Sequence, residues 1–196
     1  MTAKVKPGRV RRYLSRTVCS FLAVYAMIIV ALALLETRLV YPGAYVTTAP
    51  LDKAMSTEPI EYSTIDGNQL KGRLLRRTSS SNYLLFMHGN FSKAQRLDEL
   101  AERLSTAFDA TVLLAEYRGY EDEITPTETG LVHDCEAARD YLCENFGIGK
   151  SDIILYGRSL GGGCAVALAA NGGAKALILE RTYDELVGIA SRQYPW

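Results

Sequence analysis

Apolar and polar positions divide this chain into stretches of different period. A run that opens with Val18 and closes with Leu35 contains no charged residue and is mostly apolar. Wound as a helix at 1.5 Å per residue it spans about 27 Å, the hydrocarbon thickness of a bilayer. It predicts a transmembrane helix at 18–35, preceded by a basic segment at 1–17 and followed by a linker at 36–57 that contains Pro42, Gly43 and Pro50. The period then becomes two. Residues 60–65 alternate apolar and polar, Asp66-Gly67-Asn68 offers a turn, and 70–75 returns, which predicts a β-hairpin. Residues 76–82 form a charged, serine-rich loop.

Beyond Asn82, continuous apolar runs alternate with amphipathic ones. Residues 83–87, 111–115, 152–156 and 176–179 predict strands, the first three of the kind buried on both faces. Between them Leu97, Leu100, Leu104 and Phe108 recur at helical spacing behind a Ser92/Gln95 capping box. Thr125, Pro126 and Glu128 read as the N-cap, first-turn proline and capping-box acid of a second helix, which buries Leu131, Cys135, Ala138, Leu142 and Phe146. Residues 160–170 predict a small-residue helix. Repeated strand–helix–strand units imply right-handed crossovers and a mostly parallel sheet with helices on both faces. The fold class is therefore α/β, with the domain at 58–196.

Charge orients the apolar run and limits the partners. Lys4, Lys6, Arg9, Arg11, Arg12 and Arg16 precede it with no acid among them. The N-terminus is therefore expected on the cytoplasmic side and the chain after Glu36 across the membrane. A cleaved signal peptide competes, with Ala31-Leu32-Ala33 as its cleavage site. A buried core helix explains the missing charges but not the basic flank. Over the whole chain, 22 Lys and Arg balance 22 Asp and Glu, which gives no support to nucleic-acid binding, where a basic excess gathers on one face. The cysteines form neither a disulfide framework nor a metal-ligand spacing. Cys135 and Cys143 fall about 12 Å apart on one expected helix, too far for a bridge, and Cys164 reads as packed among small residues. No metal or cofactor is implied.

Gly157-Arg158-Ser159-Leu160-Gly161 fits the G-x-S-x-G nucleophile elbow. A buried strand ends at Tyr156 and a helix begins within two residues of Ser159, so the chain must turn sharply with the hydroxyl above the sheet. Gly157 and Gly161 are needed where a side chain would strike the neighbouring strand or helix; Gly162 and Gly163 extend the small surface. His88-Gly89-Asn90 follows the first buried strand and resembles the His-Gly loop of α/β-hydrolases, in which a backbone N–H helps to hold the oxyanion. The resemblance makes Asn90, or alternatively Phe91, and Leu160 the donors, through backbone alone, and gives His88 a bracing role. Glu116-Tyr117-Arg118-Gly119-Tyr120 and Pro126-Thr127-Glu128-Thr129-Gly130-Leu131 are similar to the D-Y-R-G-Y-G loop and P-S-E-x-G-L helix start of a small membrane-anchored α/β-hydrolase group with acyl-thioesterase and depalmitoylase-like members. Glu116 stands for the aspartate and Glu121 for the final glycine. The likeness runs over about 60–183 and implies an α/β-hydrolase fold.

In that family the acid and histidine follow the nucleophile in chain order. Here the only histidines, His88 and His133, precede Ser159, and His133 reads as a solvated helix residue. Glu180, Asp184 and Glu185 follow it, Glu180 at a strand end where some lipases carry their acid. A serine without a base is a poor nucleophile near neutral pH. The chain reaches Tyr194-Pro195-Trp196 soon after a helix expected near Asp184, so it is expected to be the front portion of a hydrolase, incomplete at its C-terminus and inactive as it stands. Gly147-Ile148-Gly149-Lys150-Ser151 fails as a phosphate-binding loop, since Glu144 occupies the first glycine position and the segment precedes a strand. The expectation is a membrane-anchored serine hydrolase that cleaves a small acyl-containing or peptide-like substrate, held to the bilayer by 18–35. The alternative is a catalytically inactive membrane protein that keeps the half-fold for binding.

Overall fold

The computed structural model describes residues 8–47 and 55–182, and the chain divides into two compact units, Met1–Val40 and Tyr41–Trp196. Among its described residues the first contains one helix, α1 (Arg9–Val40), whose 32 residues extend about 48 Å. It continues past 18–35 at both ends because no proline or glycine lies between Arg9 and Val40. Its stretch Arg11–Val40 is long and apolar enough to cross a membrane.

In the second unit, β1 (Glu58–Ser63) and β2 (Gln69–Leu75) form the expected hairpin. Thr64 closes its turn by accepting the Asn68 N–H at 2.9 Å. Ile60, Tyr62, Leu70 and Leu74 point inward and their neighbours outward, which is the period-two pattern realised. Three strands with continuous apolar runs follow: β3 (Asn82–Met87), β4 (Ala110–Leu114) and β5 (Ile153–Arg158). They pair in parallel with β3 between the other two. β2 joins β4 antiparallel, and β6 (Ala176–Glu180) joins β5 in parallel. The sheet order is β1-β2-β4-β3-β5-β6. Among the described residues β6 forms one edge, with Leu177 and Leu179 exposed.

Alternation along the strands sends side chains to both faces. Leu84, Phe86, Val112 and Leu114 pack with Ala101 and Leu104 of α2 (Asp98–Phe108). On the opposite face Phe146 of α3 (Glu128–Phe146) stacks on Tyr83 at 4.9 Å between ring centroids. Leu131, Cys135, Ala138 and Leu142 of α3 are buried as the helical spacing required. α4 (Leu160–Ala170) lies beside β5 with Cys164, Ala165 and Leu168 buried.

The helix starts differ from expectation. No Ser92/Gln95 capping box forms; residues 94–96 make a 3₁₀ turn and α2 begins at Asp98 without a side-chain cap. The N–H groups of this loop are taken by other acceptors, Ser92 bonding Gly89 and Ala94 bonding Glu116. α3 is capped by Thr127, whose hydroxyl accepts the Gly130 N–H at 3.1 Å. Thr125 and Pro126 therefore precede the helix, because Thr127 is the hydroxyl that reaches the third N–H.

Three carboxylates tie the elements together. Arg118 after β4 donates from Nε to Asp134 of α3 at 3.0 Å, from Nη2 to Asp134 at 2.7 Å, and from Nη1 to Asp66 of the hairpin turn at 2.6 Å. Asp98 accepts the N–H and hydroxyl of both Ser56 and Thr57 at 2.7–3.0 Å. Burial pushes the Asp98 carboxyl up, but those hydrogen bonds outweigh it and hold its pKa down at about 2, below the ordinary 3.8. A carboxyl depressed in the folded state stabilises above its unfolded value, and that contribution is lost as pH falls toward the folded one. Asp98→Asn is thus expected to flatten the decline of melting temperature between about pH 4 and pH 2. An unchanged acid limb in circular-dichroism melts would rule out this clamp.

Candidate active site

β5 ends at Arg158 and α4 begins at Leu160, which leaves Ser159 alone to make the turn. Its φ of +51° and ψ of −115° lie where a side chain is strained. The surroundings hold it there. Its N–H donates to the Glu180 carbonyl at 2.9 Å, and its own carbonyl accepts from the Gly162 N–H at 2.9 Å and the Thr182 hydroxyl at 3.0 Å. The Arg158–Glu180 register between β5 and β6 sets the first of these acceptors in place.

The glycines make the turn possible by close approach. A methyl on Gly157 would stand 2.6 Å from the Gly162 Cα, one on Gly161 would strike the Met87 carbonyl, and one on Gly162 would strike the Thr182 side chain. Gly163, expected to share this duty, faces open space, because it lies on the side of α4 turned away from the sheet.

The second motif emerges beside the first. β3 and β5 are neighbours with Met87 opposite Gly157, so the loops that leave them open together at the carboxyl ends of the strands. There the chain order switches from one side of β3 to the other, the usual place for a ligand crevice in such sheets. A methyl on Gly89 would come 3.4 Å from the Ser159 Cβ. Ser159 is half-buried.

His88 braces this loop. Its Nδ1 faces the Gly89 carbonyl at 2.9 Å and its Nε2 faces Glu116 Oε1 at 2.9 Å. A carbonyl can only accept, so the contact with Gly89 requires the proton on Nδ1. Glu116 also accepts the N–H of Ala94 at 2.8 Å and of Tyr117 at 3.0 Å. The Tyr117 hydroxyl donates to the His88 carbonyl at 2.9 Å, and the Tyr120 hydroxyl to Asn90 Oδ1 at 2.8 Å. Burial pushes the Tyr117 hydroxyl well up, so it remains a donor. Glu121 is open to solvent as a residue, yet crowding of its carboxyl, and then the nearby Glu116 charge, push it up to about 7.

This network was not legible from the motifs. The tyrosine spacing in the 116–120 loop was visible, but its partners arrive from β3 and from the 3₁₀ turn. Nor is the Asn90 side chain uninformative, as the sequence suggested, since its oxygen is held by Tyr120. Glu116→Ala leaves the Ala94 and Tyr117 N–H groups without an acceptor and His88 Nε2 without its partner, and is expected to cost about 3 kcal/mol or more at 1–3 kcal/mol for each buried group. Urea denaturation checks this, and a loss below about 1 kcal/mol would mean the brace is dispensable.

The remaining candidates are not brought to Ser159 as acid or base. Both ring nitrogens of His88 are occupied. His133 sits on α3 with Nδ1 4.0 Å from Asp66 of the hairpin turn, and it is part-buried with that nitrogen enclosed, not solvated as expected. Glu180 accepts from Arg158 Nε at 2.8 Å and the Tyr156 hydroxyl at 2.9 Å. Burial acts to raise its pKa, but these hydrogen bonds leave it below the ordinary value. Asp184 and Glu185, with the helix expected near them, lie outside the described residues. Among the described residues no group of His, Cys, Asp and Glu is placed to hold a metal ion.

A mostly parallel sheet flanked by helices, with a strained serine between strand and helix and a histidine–glycine loop at its side, defines an α/β-hydrolase fold. The chain belongs to the α/β-hydrolase superfamily. No protein-family model matches it. It is similar to protein bem46 of Schizosaccharomyces pombe, 31% identical over 192 residues, covering 90% of this chain and 64% of that protein. It is also similar to the alpha/beta hydrolase domain-containing protein WAV2 of Arabidopsis thaliana, 32% identical over 116 residues, 58% of this chain and 38% of that one. Among solved structures it resembles a bacterial heroin esterase with TM-score 0.55 and 25% identity, covering 74% of this chain and 51% of that chain. The chain thus spans less than two thirds of the length of these relatives.

Proposed function

We propose that this chain carries the nucleophile and oxyanion loop of a serine hydrolase anchored to a membrane by α1. The observation that carries the reading is Ser159, held at positive φ against Gly89; strain of this kind persists where the surroundings enforce it, commonly at active sites. In this mechanism a base takes the Ser159 Oγ proton as the oxygen attacks an ester, thioester or amide carbonyl. The oxyanion is held by the Leu160 N–H, which as the first residue of α4 has no intrahelical acceptor, and by the Asn90 N–H. The leaving group departs with a proton, and water releases the acyl group from Ser159.

Neither histidine of the chain is free to serve as that base, since His88 is held by Gly89 and Glu116 and His133 lies beside Asp66. Basic residues before the apolar run favour a cytoplasmic N-terminus and a hydrolase domain on the far side. The likeness to an esterase supports acyl transfer. The competing reading, a binding module without catalysis, draws on the same commitment of His88 and His133, but it leaves the strain at Ser159 without purpose. A fluorophosphonate probe applied to the longest reading frame that carries this chain separates the two. Labelling that disappears in Ser159→Ala supports the hydrolase; an intact protein that never labels supports the binding module.

A further inference from the structure

The 3₁₀ turn Pro42–Tyr45 rests on the candidate oxyanion loop. Gly43 is buried, and its N–H donates to Asn90 Oδ1 at 3.3 Å, the same oxygen that accepts from Tyr120. Its Cα faces the Asn90 carbonyl so closely that a methyl group there would overlap the oxygen and stand 2.6 Å from the carbonyl carbon and 3.1 Å from the Phe91 Cα. Gly43 is not among the residues with positive φ, so the close approach, and not backbone freedom, requires a glycine.

The peptide that Gly43 touches joins Asn90 to Phe91 at the centre of the turn closed by the Ser92 N–H on the Gly89 carbonyl at 3.0 Å. In a trans peptide the carbonyl and N–H point opposite ways. With the carbonyl against Gly43, the Phe91 N–H faces the other side, and the Asn90 N–H, one peptide earlier in the same turn, is constrained with it. The Asn90 and Phe91 N–H groups, the alternatives for the donor that this loop supplies beside Leu160, therefore ride on one turn, held by Gly43 and by Tyr120.

We propose that the Pro42–Tyr45 turn is a positioning element of the oxyanion loop, acting through Gly43 on the Asn90 peptide. The proposal rests on the hydrolase reading for its kinetic consequence alone. Only Tyr41 and Pro42 separate Gly43 from Val40, the last residue of α1, so a short covalent tether joins this turn to the end of the apolar helix.

Two variants test it: Gly43→Ala, which forces the carbonyl away, and Pro42→Gly, which loosens the turn without a clash. Hydrogen exchange is followed on the whole chain in lipid nanodiscs. Exchange at residues 90–92 is expected to quicken about tenfold in both variants, while the hairpin amides Thr64 and Gly67 keep their wild-type rates. In the longest reading frame carrying this chain, kcat for p-nitrophenyl butyrate is expected to fall about tenfold with KM within about twofold, since a misaimed oxyanion donor acts on the transition state. Gly8→Ala, whose methyl meets nothing within 4 Å, serves as control and keeps both values. Unchanged exchange at 90–92 in both variants overturns the proposal, as does faster exchange with unchanged kcat. Faster exchange in a protein whose wild type hydrolyses no ester supports the grip on the loop and overturns the hydrolase reading instead.

Discussion

Alanine at Ser159 is expected to lower kcat for ester hydrolysis by about 10⁴-fold or more, with KM little changed, in the longest reading frame that carries this chain. The reasoning is specific to the nucleophile. Binding contacts and oxyanion donors survive the substitution, so substrate still docks, but no acyl-enzyme can form. The same position gives a second, opposed expectation for stability. At φ +51° and ψ −115° any side chain is strained and glycine is not, so Ser159→Gly is expected to stabilise the fold by about 1 kcal/mol while also abolishing hydrolysis. Stability gained together with activity lost is the signature of a serine kept for chemistry. Steady-state kinetics and thermal melts on both variants read the two effects separately. Hydrolysis that survives in Ser159→Ala at more than about a tenth of the wild-type rate would remove Ser159 from the mechanism.

The largest expected effect on folding comes from the buried pair Arg118–Asp134. Asp134 has no solvent exposure and Arg118 keeps 6%. Asp134 accepts the Arg118 N–H at 2.8 Å as well as its guanidinium. Burial raises the Asp134 carboxyl from its ordinary value even though Arg118 hydrogen-bonds act to lower it. Hydrogen bonding to Asp134 holds Arg118 above the ordinary range, against the effect of its own burial. Removing the aspartate leaves a buried cation with only the half-exposed Asp66, and Asp134→Ala is expected to cost about 3–5 kcal/mol. Replacing both together, as Arg118→Met with Asp134→Leu, is expected to recover most of that loss, because an apolar pair of similar volume carries no desolvation penalty. Urea unfolding of the single and double variants closes the cycle. Equal destabilisation by single and double replacement would show that packing, not charge, holds this corner.

Much of the fold could be read directly. The strands at 83–87, 111–115 and 152–156 were marked by uninterrupted apolar runs, and they became β3, β4 and β5 within one or two residues. The hairpin was marked by alternation around Asp66-Gly67-Asn68. The small-residue helix was placed at 160–170, its observed bounds. Helix starts were harder, because several residues near each start have side chains that can cap. Ser92 and Gln95 had the right letters, but their loop was drawn to Gly89 and Glu116, and Thr127 took the cap expected of Thr125. At the site, Ser159, Gly157, Gly161 and the His88-Gly89-Asn90 loop were legible because each carries its own local signal. Glu116, Tyr120 and Gly43 as supports of that loop were not, since their partners lie 28, 30 and 47 residues away in sequence.

Local composition by itself determined which stretches became strands or helices, the apolar character of α1, and the sharp turn that lifts Ser159 out of regular structure. These follow from side-chain periodicity and from the backbone limits of glycine, which act over a few residues. The tertiary structure decided that β3 and β5 lie side by side, so that Gly89 meets Ser159, and that Gly43 and Glu116 close on the same loop from opposite ends of the chain order. Pairing of that kind depends on which buried donors find acceptors once the sheet has assembled, and no spacing along the chain encodes it.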